Sequence, residues 1–172
     1  MKNLIKNLCA FTSFFLLLSC SETCIERGTE EFDYVEKKRN IIYYRGEVFS
    51  GCLTKNHKNG QLNEKKYYVD GKKAGVWEEY HENGQLEDKF SYVNAKIDGE
   101  RIEYYSNGQI KCKQTYKEGE NIGSYEEFYE NGKPKSKRNY NDEGELDGAS
   151  IYYDEEGNES KSTLFKNGVM EN

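Results

Sequence analysis

From residue 51 onward the apolar positions come in short aromatic-rich runs, divided by glycines and polar pairs on a fixed rhythm. Asn-Gly recurs at 59–60, 83–84, 107–108 and 131–132, and Glu156-Gly157 continues the series one residue late. An opening glycine stands nine residues before each of these glycines: Gly51, Gly75, Gly99, Gly123 and Gly148. A third marker follows eleven or twelve residues later, at Gly71, Ala95, Gly119, Gly144 and Gly168. The drift falls within Asn141–Gly144 and reads as a loop insertion. The period defines five units: 51–74, 75–98, 99–122, 123–147 and 148–172. Self-similarity at constant spacing is the signature of a repeat architecture.

Each unit reads strand, turn, strand. Asn-Gly between aromatic-rich runs is a strong hairpin signal, and a type I′ turn there needs both central residues at positive φ. The period leaves no room for a helix. The expected fold is therefore all-β: tandem β-hairpins forming an elongated, single-layer, twisted antiparallel sheet. A two-residue turn would set Trp77 opposite Phe90, Glu78 opposite Lys89 and His81 opposite Leu86, with Trp77, His81, Leu86, Phe90 and Tyr92 on one face. The most regular column is Tyr68, Tyr92, Tyr116, Tyr140 and Phe165, read as the structural core. A second column, Tyr80, Tyr104, Phe128 and Tyr153, falls on the other face unless a bulge shifts the register. That face also carries a lysine ladder, Lys65, Lys89, Lys113 and Lys137, with Glu78 and Glu126 placed to pair with Lys89 and Lys137. Exposed pairs of this kind contribute roughly 0.2–1 kcal/mol, so the ladder reads as solubilising charge.

Ahead of the units, Ile41-Ile42-Tyr43-Tyr44-Arg45-Gly46 resembles a second half-repeat, so 41–50 is read as a degenerate cap for the open end of the array. Residues 20–40 are polar and charged and read as a tether. The first nineteen residues read as a signal peptide: Lys2 and Lys6 form a basic start and Leu8–Leu18 an apolar core too short to span a bilayer. Leu17-Leu18-Ser19-Cys20 resembles the lipobox of bacterial lipoproteins, which implies lipidation at Cys20. Two acyl chains on one residue would supply a stable anchor.

Composition narrows the function classes. The formal charge is −6, from 25 basic and 31 acidic residues, and removal of Lys2 and Lys6 with the signal leaves 23 basic residues and −8. So acidic a chain is a poor match for nucleic acid, whose binding runs on excess lysine and arginine. Hydrophobic content of 35% is low, partly offset by 15 tyrosines and 8 phenylalanines, and suits a thin fold with an aromatic spine. Of Cys24, Cys52 and Cys112 at most one disulfide can form, with three pairings open, and the favoured reading is lone small residues at repeat positions. No C-x-x-C spacing suggests a metal. His57 and His81 read as repeat-position variants, and Glu79, Glu103 and Glu127 as repeated surface. No phosphate loop or nucleophile elbow is present. The expectation is a non-enzyme without cofactor or metal.

The pattern Gly-x-Trp-x-x-Tyr-x-x-Asn-Gly-Gln-Leu, then Tyr-x-x-Gly, is met most fully by Gly75, Trp77, Tyr80, Asn83, Gly84, Gln85, Leu86 and Tyr92. It resembles the MORN-variant repeats of bacteria, including proteins described as antitoxin- or immunity-like. The first unit departs at Leu53 and Asn56, the second at Ala95 and the fifth at Glu156 and Glu159. The resemblance implies hairpins stacked into one twisted sheet that contacts proteins or sometimes lipid, with no reaction. The expected function is a membrane-anchored protein-binding module of the bacterial cell envelope, in the outer membrane if the cell has one. Its partner surface is placed at Trp77, Tyr80, Tyr104, Tyr105, Phe128 and Tyr129. The alternatives are an immunity protein for a cognate toxin and a passive structural lipoprotein.

Overall fold

Residues 24–171 are described by the computed structural model, in which strands of six to nine residues follow one another as hairpins. The five hairpins are Gly51–Asn56 with Leu62–Val69, Gly75–Tyr80 with Leu86–Val93, Gly99–Tyr104 with Ile110–Lys117, Glu120–Phe128 with Pro134–Tyr140, and Gly148–Tyr153 with Glu159–Lys166. Each joins the next antiparallel, giving one open 14-stranded sheet bounded by Cys24–Glu26 and Val169–Met170. The all-β, hairpin-by-hairpin architecture is as the period implies.

The turns differ from the expectation. At Asn83-Gly84 only the glycine has positive φ, +83°, and the same holds at Asn59-Gly60, Asn107-Gly108 and Asn131-Gly132. Gly84 N–H donates to the His81 carbonyl at 2.9 Å and His81 N–H to that of Gln85 at 2.9 Å. This is a three-residue loop with glycine in the left-handed position. The type I′ geometry, with two consecutive positive φ values, sits at the second turn: Asp70-Gly71, Asn94-Ala95, Glu118-Gly119 and Asn167-Gly168. The longer loop has a consequence for register. Tyr80, not His81, pairs with Leu86, and Glu87 is bulged out before Glu79 meets Asp88. Beyond the bulge the pairing is as expected, Glu78 with Lys89 and Trp77 with Phe90. The same bulge recurs in all five hairpins. Leu86 is thereby moved off the Trp77 face and onto that of Tyr80.

Two faces result. On the tyrosine face, each spine residue lies opposite an opening glycine: Gly51 with Tyr68, Gly75 with Tyr92, Gly99 with Tyr116, Gly123 with Tyr140, Gly148 with Phe165. All five spine side chains are half-buried. The buried rings are Phe49, Trp77 and Phe90, joined to Tyr68 and Tyr92 by ring contacts of 4.7–6.3 Å. Toward the C-terminus the buried positions pass to Cys112, Ser136 and Ser150, so the aromatic core is concentrated near the second unit.

The stretch 24–40 is folded, not a tether. Cys24–Glu26 pairs in parallel with Cys52–Thr54, and a Cys24–Cys52 disulfide locks this edge. That overturns the reading of both as lone small residues, because parallel pairing sets the two residues side by side; Cys112 is free and buried. Val35–Lys38, Ile41–Tyr44 and Glu47–Val48 form a separate three-stranded sheet. It seats on the array where Gly71 N–H donates to the Phe49 carbonyl at 2.7 Å, as Gly119 donates to Ile97 at 2.8 Å one period pair further on. Residues 41–50 thus occupy the place of a preceding unit. Residues 1–19 and Cys20, with their expected signal and lipid, lie outside the described residues.

Ala95 holds φ +63° where the other units have glycine, a conformation costly for a Cβ-bearing residue. Ala95→Gly is expected to stabilise the protein by about 1 kcal/mol in chemical denaturation. Gly71→Ala should cost more than Gly119→Ala, roughly 2–3 against 1–2 kcal/mol. A Cβ at Gly71 would lie 2.8 Å from the Ile42 carbonyl oxygen, whereas at Gly119 it meets nothing closer than 3.9 Å.

Candidate functional site

The hairpin loops are stitched to one another by side chains that the repeat supplies once per unit. Asn83 Oδ1 accepts from Gln85 N–H within its own loop at 3.0 Å, and its Nδ2 donates to the Ser106 carbonyl of the next unit at 2.6 Å. Asn59, Asn107 and Asn131 donate likewise to Glu82, Glu130 and Glu155 at 2.7–3.1 Å. Two positions before each loop asparagine, a second ladder runs. His57 and His81 place Nε2 within 2.6 and 3.0 Å of the Tyr80 and Tyr104 carbonyls. Tyr105 and Tyr129 donate their hydroxyls to the Phe128 and Tyr153 carbonyls at 2.8 Å. The fifth unit ends the series: Asp154 turns inward and accepts from Asn158 N–H of its own loop at 2.8 Å.

This periodic geometry coincides with a known family. Residues 73–94, 97–118 and 122–142 each match the MORN repeat variant. Residues 73–142 carry MORN-variant repeats. No curated protein matches it. MORN repeats commonly mediate protein or membrane binding, which makes the open faces of this sheet the surfaces of interest. The matched units are the central ones, yet the outer MORN-like units keep the same strand register despite Asn56 and Glu156.

The residues expected to contact a partner are divided by the structure. Trp77 is 5% exposed, and its indole N–H donates to the Tyr67 carbonyl at 2.9 Å. Tyr105 and Tyr129 are tethers between MORN repeats, as described. Tyr80, Tyr104 and Phe128 lie on the lysine face, paired with Leu86, Ile110 and Pro134. The bulge falls on the second strand of each hairpin, so the first strand keeps its alternation, and Tyr80 donates to Glu78 of its own face at 3.0 Å. Burial, and then this bond to a carboxylate, push the Tyr80 phenol up to about 12. The result is a stripe of half-buried aromatic and aliphatic side chains. Beside it stand the expected ladder pairs, Glu78 with Lys89 at 3.5 Å and Glu126 with Lys137 at 3.1 Å.

The tyrosine face carries charge instead. Arg101 holds Asp88 through two nitrogens, Nε at 3.1 Å and Nη2 at 2.6 Å, and reaches Glu103 at 3.0 Å. Asp88 is 7% exposed, and burial raises its carboxyl despite the pull of Arg101. The hydrogen bond to Asp88 raises Arg101 in turn. Among the described residues no group of His, Cys, Asp and Glu is arranged to hold a metal. The aromatic half of the stripe was legible as a column of residue type, whereas Leu86, Ile110 and Pro134 join it only through the bulge. The loop ladders were not, because hydrogen bonds to a carbonyl leave no mark on the residue that accepts.

Asp88 titrates above its unfolded value of about 3.9, so its buried charge weighs against folding above that range and the burden lifts as pH falls. Removing the counter-ion increases the burden. Arg101→Gln is therefore expected to depress the melting temperature more at neutral pH than near pH ~4, where the protonated acid needs no partner. Equal depression at both values would mean that the pair is fully solvated.

Proposed function

We propose that this chain is a non-enzymatic, lipid-anchored module of the bacterial cell envelope that captures a protein partner on the lysine face of its central MORN repeats. The observation that carries this reading is the stripe of Tyr80, Leu86, Tyr104, Ile110, Phe128 and Pro134. It lies on a sheet whose repeat strands contact their sheet neighbours and, among the described residues, have no second layer across that face. Aromatic anchors ringed by charged pairs suit a partner patch, since rings contribute most of the contact energy and the rim excludes water.

Export is supported by the Cys24–Cys52 disulfide, because such bonds persist in oxidising compartments and are rare in the cytosol. Anchoring rests on the sequence around Cys20, and the disulfide lies only four residues beyond it. An anchored chain would therefore present its capped N-terminal edge to the membrane and its central repeats away from it.

Two experiments test the two halves separately. Cys20→Ala should leave an unprocessed precursor and shift the protein out of the detergent phase in phase separation; identical partitioning of variant and wild type would sink the anchoring. The triple variant Tyr80→Ser, Tyr104→Ser, Phe128→Ser should lose capture of envelope partners in cross-linking while its far-ultraviolet dichroism is unchanged. Capture that persists with the fold intact would place the patch elsewhere, and a collapsed spectrum would assign the stripe to the core.

A further inference from the structure

We propose that Arg138 is the centre of a carboxylate-binding site on the tyrosine face, where the fourth and fifth repeats meet, and that its occupant is an acidic side chain of a protein partner. The site lies on the opposite face from the Tyr80 stripe and does not depend on it.

Two arginines project from the tyrosine face, and they differ in what surrounds them. Arg101 has Asp88 as a two-point partner and Glu103 beside it. Arg138 has no carboxylate partner among the described residues. The repeat position that holds Asp88 in the second unit is Cys112 in the third and Ser136 in the fourth. Across the strand pair, Lys137 opposite Ile151 sets Arg138 beside Ser150. Glu127, opposite Ser136 on the neighbouring strand, is engaged by Lys135 at 2.6 Å.

The guanidinium is nonetheless held in place. Its central carbon lies 5.0 Å from the Tyr125 ring and 5.4 Å from the Tyr152 ring. Rings on two sides fix the plane of the fork at little further entropic cost. Arg138 Nε and Ser150 Oγ are both buried and without a hydrogen-bond partner. Ser150 is only 3% exposed. Both atoms are out of reach of solvent, so an incoming acceptor meets the half-buried Arg138 at the outer edge of its fork, and the desolvated Nε beneath leaves that charge short of partners until one arrives. Lys161, opposite Tyr152, adds an exposed ammonium that has no carboxylate partner among the described residues.

Charge selects the occupant. An arginine fork matches a carboxylate with two parallel hydrogen bonds. A phosphate dianion would meet the same donors but brings two charges to one point in the field of a chain of net charge −6, whereas a side-chain carboxylate brings one to the fork and any neighbouring carboxylates stay in screening solvent. A glutamate or aspartate side chain satisfies the fork at the smaller electrostatic cost.

The test follows the arginine Nε–Hε resonances of the full-length ¹⁵N-labelled chain. The probes are an N-acetylated, C-amidated triglutamate peptide, its triglutamine counterpart and inorganic phosphate. Triglutamate should move the Arg138 resonance saturably and leave that of Arg101 in place, while triglutamine should move neither. Arg138→Lys keeps the charge but loses the fork, and should weaken triglutamate binding about tenfold with an unchanged melting curve. A shift that stays linear in peptide, equal movement of Arg101, an equal effect of triglutamine, or saturation by phosphate alone would each overturn the proposal. The wild-type titration decides the matter even if the lysine variant folds poorly.

Discussion

Everything in this sheet depends on the loop asparagine, whose amide works in two directions at once. Its oxygen closes the loop to which it belongs, and its nitrogen binds the carbonyl of the loop one period on. A local turn and a long-range spacing are thus set by one side chain. Because MORN units bury little apolar surface between them, such polar joints carry a large share of the specificity that packing supplies elsewhere. The histidine and tyrosine tethers add a second joint at the same level, so each hairpin is fixed to the next near its loop as well as along its strands.

The apolar interior is unevenly placed along the array. Rings gather from Phe49 to Tyr92, and Lys66, Lys73 and Arg101 set their charged groups over the rings of Trp77 and Phe90. Beyond that point Arg101, Gln114 and Arg138 stand where Trp77 and Phe90 stand in the second unit. One end of the tyrosine face is therefore a core and the other a surface. The disulfide strengthens the end that is already the better packed.

How much of this the sequence disclosed can be judged residue by residue. The period, the hairpins, the tyrosine column and the Glu78–Lys89 and Glu126–Lys137 pairs were all legible, because each depends on alternation and on spacing of the same residue type. Turn type was not. Asn-Gly fits both the type I′ and the longer loop, and the choice is made by the next unit, whose carbonyl recruits the asparagine side chain. The bulge at Glu87 follows from that choice, since only an extra residue restores the pairing of Glu78 with Lys89. The folded stretch 24–40 was missed for a different reason: its order comes from a covalent bond to Cys52, and three cysteines alone do not disclose which two will meet. Of the partner surface, parity put Tyr80, Tyr104 and Phe128 on the face opposite Trp77 only on condition that no bulge shifted the first strand, and alternation alone does not disclose on which strand a bulge falls.

Asp154 binds its own loop, and Glu156 stands where the other units have the asparagine that reaches forward. The last unit offers no side chain of this kind to a successor. At the other end the parallel strand and its disulfide occupy the first edge. The array thus has a fixed beginning and a fixed end, and its joints are alike only in between. Such a chain can change length by gaining or losing whole 24-residue units between those ends, which makes the reach of the protein an adjustable trait independent of its termini.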